Sequence, residues 1–357
     1  MKKLVLIAIL AAAVIADLRA HKPVTSKYTF SEDVYPIVKE QCGGCHVPGG
    51  IAPMSLMTYE DARPWAESIR LELTSGHMPP WYGDPSVAPL SDVHKLSPRD
   101  LDVVLTWVSG GTPPGPPTKT PAAAPRRAWG RNRPDLTIPI PEAVNLPPDK
   151  AEETREFVLR DADDRDRIVL SADLLPGNAA IVHDATIFTR VAGATEPSSV
   201  LTTWTPGDSP AVPASAYGFA WRTGEQLVVR IHYKKNWKLE NKAASDRSTV
   251  GLYFAKSAAT KVIGRVAVKA GETVSIDAPM QALAVRAADT AADARIELDA
   301  VRPDGSRIRV AGFGTRAGWS RRYWLARAIE LPKGTRVEAK ASMERAQPIQ
   351  LWLDVLP

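Results

Sequence analysis

The residues best suited to chemistry stand close together: Cys42, Gly43, Gly44, Cys45 and His46. Two thiols two residues apart, followed at once by an imidazole, have the spacing that attaches a c-type haem. Each thiol adds across one vinyl group to give a thioether, and the histidine is placed to ligate iron as the proximal axial ligand. The two glycines between the thiols put no bulk against a porphyrin. A redox C-x-x-C needs no adjacent histidine, and a structural zinc site needs four ligands. Cys42 and Cys45 are the only cysteines in 357 residues, so no second pair completes a four-thiolate site. The expected cofactor is one haem c, held covalently by Cys42 and Cys45 with His46 on the iron.

A haem held this way takes a sixth ligand or leaves an open position. Met78, in Gly76-His77-Met78-Pro79-Pro80-Trp81, is the first candidate. A thioether on a proline-stiffened loop raises the potential relative to a second histidine, which suits an electron carrier. Met54, Met57, His77 and an open site are the alternatives. Trp81 is expected on the porphyrin edge or in the core.

Three helices are expected to position these groups. The first, over 29–41, has Ser31 as its cap and Val34, Ile37, Val38 and Gln41 on one face. The second, over 58–74, presents Ala62, Trp65, Ala66, Ile69 and Leu73, with Pro64 near its start where proline is tolerated. The third begins at Ser97-Pro98, shows Leu101, Val104, Leu105 and Val108 with Trp107 flanking, and ends at Gly110-Gly111.

Lys2-Lys3 and the apolar run Leu4 to Ile15 read as a secretory signal over 1–20. The run is short of the roughly twenty residues a membrane span needs. The expectation is a periplasmic or otherwise exported protein with no transmembrane anchor after cleavage, and c-type haem is attached outside the cytoplasm. The composition is 44% hydrophobic and 24% charged, an ordinary globular balance. The net charge of +5 is spread among acidic residues with no lysine/arginine block, which gives nucleic-acid binding little support.

The proline-rich stretch 112–128 reads as a stiff linker. Beyond it the periodicity changes to short β runs broken by glycine, proline and aspartate. Pro303-Asp304-Gly305 is a hairpin signal and Pro332-Lys333-Gly334 a further turn. The boundaries expected are a haem domain over 21–111 and two antiparallel sandwiches over 129–256 and 257–357.

The order of these parts resembles a bacterial architecture that joins a cytochrome c domain to a β region like the copper type II ascorbate-dependent monooxygenases. The haem half rests on C-G-G-C-H, I-A-P-M-S-L-M-T-Y-E-D-A-R-P-W and M-P-P-W. The β half rests on I-V-H-D-A-T-I-F-T-R, V-R-I-H-Y, V-G-L-Y-F-A and L-P-K-G-T-R. The fold class implied is multidomain: an all-α cytochrome c domain followed by all-β tandem antiparallel, jelly-roll-like sandwiches. The resemblance also implies two copper sites, both altered here. The first would fall on His183, Asp184 and His232, with a carboxylate where the family has an imidazole. The second lacks its histidines, since none occurs beyond His232. Copper monooxygenation is therefore not expected. His183 and His232 are either strand histidines satisfied by hydrogen bonds or ligands of a residual copper. Asp184 has Arg190 and Arg230 as its other candidate partners.

The function expected is a periplasmic mono-haem electron carrier whose β region docks a redox partner protein or acts as a scaffold. The alternatives are a haem-fed copper oxidoreductase working at His183, Asp184 and His232, and a haem-based ligand sensor.

Overall fold

The computed structural model describes residues 25–91, 95–117, 129, 132–160, 165–207, 217–256, 260–288, 293–316, 318–342 and 349–357. The expected signal over 1–20 and most of the expected linker, 118–128, lie outside the described residues. The chain divides into two compact units. One comprises Met1–Cys42, Leu56–Pro79 and Leu96–Pro121; the other comprises Gly43–Ser55, Pro80–Lys95 and Ala122–Pro357. Among the described residues no helix is long and apolar enough to cross a membrane.

The first unit is built from short helices. A π-helical turn, Phe30–Val34, runs into α1 (Tyr35–Gln41). Ser31 does not cap it. Thr29 stands at the N-cap instead, and the Asp33 carboxylate reaches back to accept the Thr29 N–H at 2.8 Å. Next come α2 (Tyr59–Ala62), a 3₁₀ turn at Arg63–Trp65 and α3 (Ala66–Ser75). Thr58 caps α2 by accepting the Asp61 N–H, and Gly76 closes α3 in the left-handed conformation at φ 72°. The last helix, α4 (Pro98–Ser109), has the expected Ser97 cap on the Asp100 N–H. Its buried face is Val103, Val104 and Trp107, rotated from the one expected. The indole is the largest apolar surface on the helix, and burying it fully sets the rotation. Its Nε1–H donates to Pro113 O at 3.0 Å, and Phe30 packs against its ring at 5.7 Å between centroids.

The second unit holds two β-sandwiches. Strands of the first are β1 (Leu136–Pro139), β2 (Val144–Leu146), β3 (Glu152–Arg160), β4 (Arg167–Leu175), β5 (Val182–Val191), β6 (Ser199–Trp204), β7 (Tyr217–Trp221), β8 (Glu225–Lys234), β9 (Ala244–Asp246), β10 (Thr249–Phe254) and β11 (Lys261–Val262). They form sheets ordered β1-β10-β4-β7-β11 and β3-β8-β5-β6, with a small β2-β9 pair. Strands of the second are β12 (Gly264–Lys269), β13 (Thr273–Ser275), β14 (Met280–Ala287), β15 (Ala294–Val301), β16 (Arg307–Thr315), β17 (Arg322–Leu331), β18 (Arg336–Ser342) and β19 (Gln350–Leu356). Their sheets are ordered β12-β19-β14-β17 and β13-β18-β15-β16. Pro303-Asp304-Gly305 does make the β15–β16 hairpin, with Gly305 at φ 85°. The turn at Pro332-Lys333-Gly334 carries the chain from one sheet to the other.

Strand alternation supplies the cores. On β8, Leu227, Val229, Ile231 and Tyr233 are all fully buried on one face. That face belongs to the first core, with Ile187, Trp221 and Leu252, while Arg230 and His232 stand on the opposite face. The two sandwiches are fastened by Arg322. Its Nη1 and Nη2 donate to the carbonyls of Leu201 and Val200 at 3.2 and 2.6 Å, and its Nε lies 2.7 Å from Asp354 Oδ2.

The expected all-α cytochrome c domain is not what forms, and the fold class is corrected accordingly. Among the described residues the chain is mostly β, and its α-helices fall in three short stretches over 30–41, 59–75 and 98–109. Residues 80–95, read as part of the helical domain, belong to the β unit. Gly83 bridges Phe313, Leu90 bridges Leu325, and the Asp84 N–H donates to Gly312 O at 2.8 Å. Trp81 is buried in the second sandwich core, edge-on to Tyr323 at 5.7 Å. Its indole surface is covered by strand side chains, which makes it a core residue.

Candidate functional site

The first cluster is the Cys42–His46 stretch. The Cys42 N–H closes the last turn of α1 on Val38 O at 2.9 Å, and the chain then turns through Gly43 and Gly44. Neither cysteine forms a disulfide. Burial pushes the Cys42 thiol up to about 11, so it stays protonated at neutral pH. Cys45 Sγ faces Pro206 O at 3.7 Å. Gly44 presses on the turn at Pro206-Gly207: a Cβ there would stand 2.6 Å from Gly207 Cα, so no side chain fits. His46 has Nδ1 3.1 Å from Met54 O. A carbonyl only accepts, so Nδ1 carries the proton and Nε2 keeps its lone pair. Burial lowers the His46 pKa, against a smaller upward pull from that hydrogen bond, and favours the neutral ring. An anchored Nδ1–H with a bare Nε2 is the arrangement of a metal-ligating imidazole. The residues present therefore fit a covalently held haem, with Cys42 and Cys45 as attachment points and His46 as iron ligand.

Met78 lies in the helical unit just past α3, with 41% of its surface exposed. His77 beside it has Nδ1 3.4 Å from Glu72 Oε2.

The second cluster lies on the outer face of the β3-β8-β5-β6 sheet. Here β5 carries a bulge. Val182 pairs with Tyr233 and Asp184 with His232, so His183 is an extra residue without a ladder partner. Val182 and Ala185 both enter the core, three positions apart, and His183 and Asp184 therefore both face outward. Asp184 Oδ2 accepts from His183 Nδ1 at 2.7 Å and from His232 Nδ1 at 2.9 Å. The two imidazoles meet edge-to-face at 4.9 Å, and Trp319 lies 5.1 Å from His183. Glu152 Oε2 stands 3.8 Å from His232 Nε2.

Burial would raise the Asp184 carboxyl, but hydrogen bonds from His183 and His232 outweigh it and hold the group below the usual range. The hydrogen bond to Asp184 raises His232, against its partial burial. Arg190 and Arg230 do not reach Asp184. Both pair with Glu156, at 2.5 and 3.0 Å. The three ligand atoms lie within 4.8 Å of one another, close enough to hold one metal ion. Two ligands on a tetrahedral ion at about 2.05 Å would stand about 3.3 Å apart. The observed 2.7 and 2.9 Å are hydrogen bonds instead, which leave both Nε2 atoms as acceptors.

Sequence reasoning reached these three residues and missed Trp319, Glu152 and the bulge. The bulge left a signal: the apolar positions Val182, Ala185 and Ile187 break strict alternation.

Comparison with known proteins adds little. No family model matches the chain, and no curated protein does. Solved structures that match include the major capsid protein P2 of bacteriophage PM2, at 10% identity and TM-score 0.28, over 62% of this chain and 96% of that one. Another is a fucolectin from striped bass serum, at 7% identity and TM-score 0.19, over 60% of this chain and 85% of that one. At these TM-scores neither likeness bears on fold or function. The resemblance to a cytochrome c domain fused to a monooxygenase-like region is corrected. No model of either family matches, and the helices do not form an all-α haem domain.

Proposed function

We propose that this chain is an exported mono-haem electron-transfer protein whose β region docks a redox partner or serves as a scaffold. Cys42 and Cys45 hold the haem and His46 is its axial ligand. The single observation that supports this most is the His46 Nδ1–Met54 O contact of 3.1 Å, which orients the ring and leaves Nε2 with its lone pair. When bound, the haem supplies a one-electron iron couple. The chain's own part is to anchor, orient and desolvate. α1 delivers Cys42, the Gly43-Gly44 turn brings Cys45 round without bulk, and burial keeps His46 neutral. Met78 is assigned as sixth ligand from its sequence position alone.

The test is to export the full chain from a host that loads c-type haem. One haem per chain that survives denaturation is expected, lost in the Cys42→Ser/Cys45→Ser variant. A preparation that carries no covalent haem overturns the reading. A methionine–iron band in the red, absent in Met78→Ala, establishes the sixth ligand, whereas rapid CO binding to the reduced protein favours a ligand sensor.

A second reading, a haem-fed metal oxidoreductase, draws on the bulge that turns His183 and Asp184 together toward His232. It requires one copper or other transition metal per chain, lost on His183→Ala. Metal analysis that finds iron alone removes it.

A further inference from the structure

The turn after β8 is rich in lysine. Lys234, Lys235, Lys238 and Lys242 stand there against one carboxylate, Glu240. Lys235 is buried, and its Nζ donates to Pro147 O at 2.5 Å. Lys234 lies 3.7 Å from Glu152 Oε2. Lys238 and Lys242 are exposed, and neither has an ion pair among the described residues. Trp237 beside them is 57% exposed, the most of any large apolar side chain among the described residues. Lys238 Nζ stands 5.6 Å from its ring centroid, so an open indole and an open cation are presented together.

The backbone under this indole is held in place. Asn236 caps the 3₁₀ turn Trp237–Leu239, its Oδ1 accepting the Lys238 N–H at 3.0 Å. Leu239 packs against the first sandwich core, and its carbonyl accepts the Lys242 N–H at 3.1 Å. The fold gains little from an indole left in water, and an aromatic on a fixed turn loses little freedom when a partner covers it. Asn236 also ties the turn to the cysteine stretch. Its Nδ2 donates to Ile51 O at 3.0 Å, and the next residue, Ala52, donates its N–H to Cys45 O at 3.3 Å. The segment 43–55 contains no Asp, Glu, Lys or Arg, so the lysine-rich turn sets the charge beside it.

We propose that this turn is where an acidic redox protein docks, with an apolar recess over Trp237 and carboxylates against Lys238 and Lys242. This role rests on the electron-transfer reading above and gives its partner a surface and a charge. One aromatic anchor in a charged rim is how a small, transient interface gains both affinity and fast association. A lipid surface fits less well. Two lysines without ion pairs contribute only about 2 kcal/mol at an anionic membrane, short of stable attachment, whereas a shaped partner covers the indole.

Calorimetric titration of the full chain with two acidic redox proteins, plastocyanin and a plant-type ferredoxin, tests it, with a basic small cytochrome c as control. At least one acidic protein is expected to bind in the micromolar to low millimolar range and to weaken at least about tenfold between about 20 and about 200 mM salt, while the control does not bind. Trp237→Ser is expected to weaken that binding at least about tenfold and keep its salt dependence. Lys238→Glu with Lys242→Glu is expected to weaken it about as much and flatten the salt dependence. Both variants change exposed side chains, so melting temperatures are expected to stay unchanged. Absence of binding by both acidic proteins, or affinity unchanged in both variants, overturns the proposal. Sedimentation with phosphatidylglycerol vesicles in the absence of protein binding also overturns it and assigns the turn to a membrane surface. The titration reads binding with or without haem, so a preparation lacking haem refutes the electron-transfer reading while the turn is still judged on its own.

Discussion

Asp184 accepts from two imidazoles with one oxygen, and that sharing has a pH signature. Folding raises His232, so its contribution to stability is complete below the ordinary value of 6.5 and is lost as pH rises through the folded value. Folding lowers Asp184, so its contribution holds above 3.8 and is lost as pH falls through the folded value. Both act together between these limits. Asp184→Asn is therefore expected to cost about 1–3 kcal/mol, most between pH 3.8 and 6.5 and less as pH rises beyond 6.5. Denaturant melts of both proteins across pH measure this, and a pH-independent difference would refute it. In the same variant the His232 pKa, followed by NMR, should fall toward its ordinary value. A different residue tests the Cys42–His46 loop and the haem proposed there. Gly44→Ala drives a Cβ into the Gly207 backbone, so a loss of about 1–3 kcal/mol and reduced haem incorporation are expected.

At the scale of elements, the first unit depends on one indole. Trp107 is fully buried against Phe30 and supplies the largest apolar surface of α4. Trp107→Ala should cost about 3–5 kcal/mol within that unit and open α4 to limited proteolysis while the strands stay protected. What was legible here followed local rules. Ser97-Pro98 marked the start of α4, and Pro303-Asp304-Gly305 marked a hairpin, because both signals act over a few residues. Ser31 was misread as a cap because the helical turn starts two residues earlier, at Thr29, and the Asp33 and Val34 N–H groups that a Ser31 cap would take donate to Thr29 O. The closeness of Cys42, Cys45 and His46 was legible because they lie within five positions. The pairing of His183 and Asp184 with His232 needed the bulge and a cross-strand register, which no single stretch reveals. Residues 80–95 were misplaced for the same reason: isolated bridges to Phe313 and Leu325 leave no periodicity to read.

For the molecule as a whole, the joint between the sandwiches is the point of greatest leverage. Arg322 and Asp354 are a buried pair, with side chains 5% and 6% exposed. Removing only the carboxylate leaves a charge in the interior, so Asp354→Ala should cost about 3–5 kcal/mol in a denaturant melt. Arg322→Met with Asp354→Leu should recover part of that loss; a double variant no better than the single one would refute the assignment. A further consequence concerns inheritance. The chain enters the β unit at Gly43, leaves it, returns at Pro80 and leaves again before settling there for good. A recombination event at the proline-rich stretch would carry Trp81 and Leu90 away from the second core, and Gly44 away from the turn it rests on. Neither fragment would be complete. The Gly43–Ser55 and Pro80–Lys95 segments and the strands are therefore expected to be inherited together, however much the sequence looks like two modules joined by a linker.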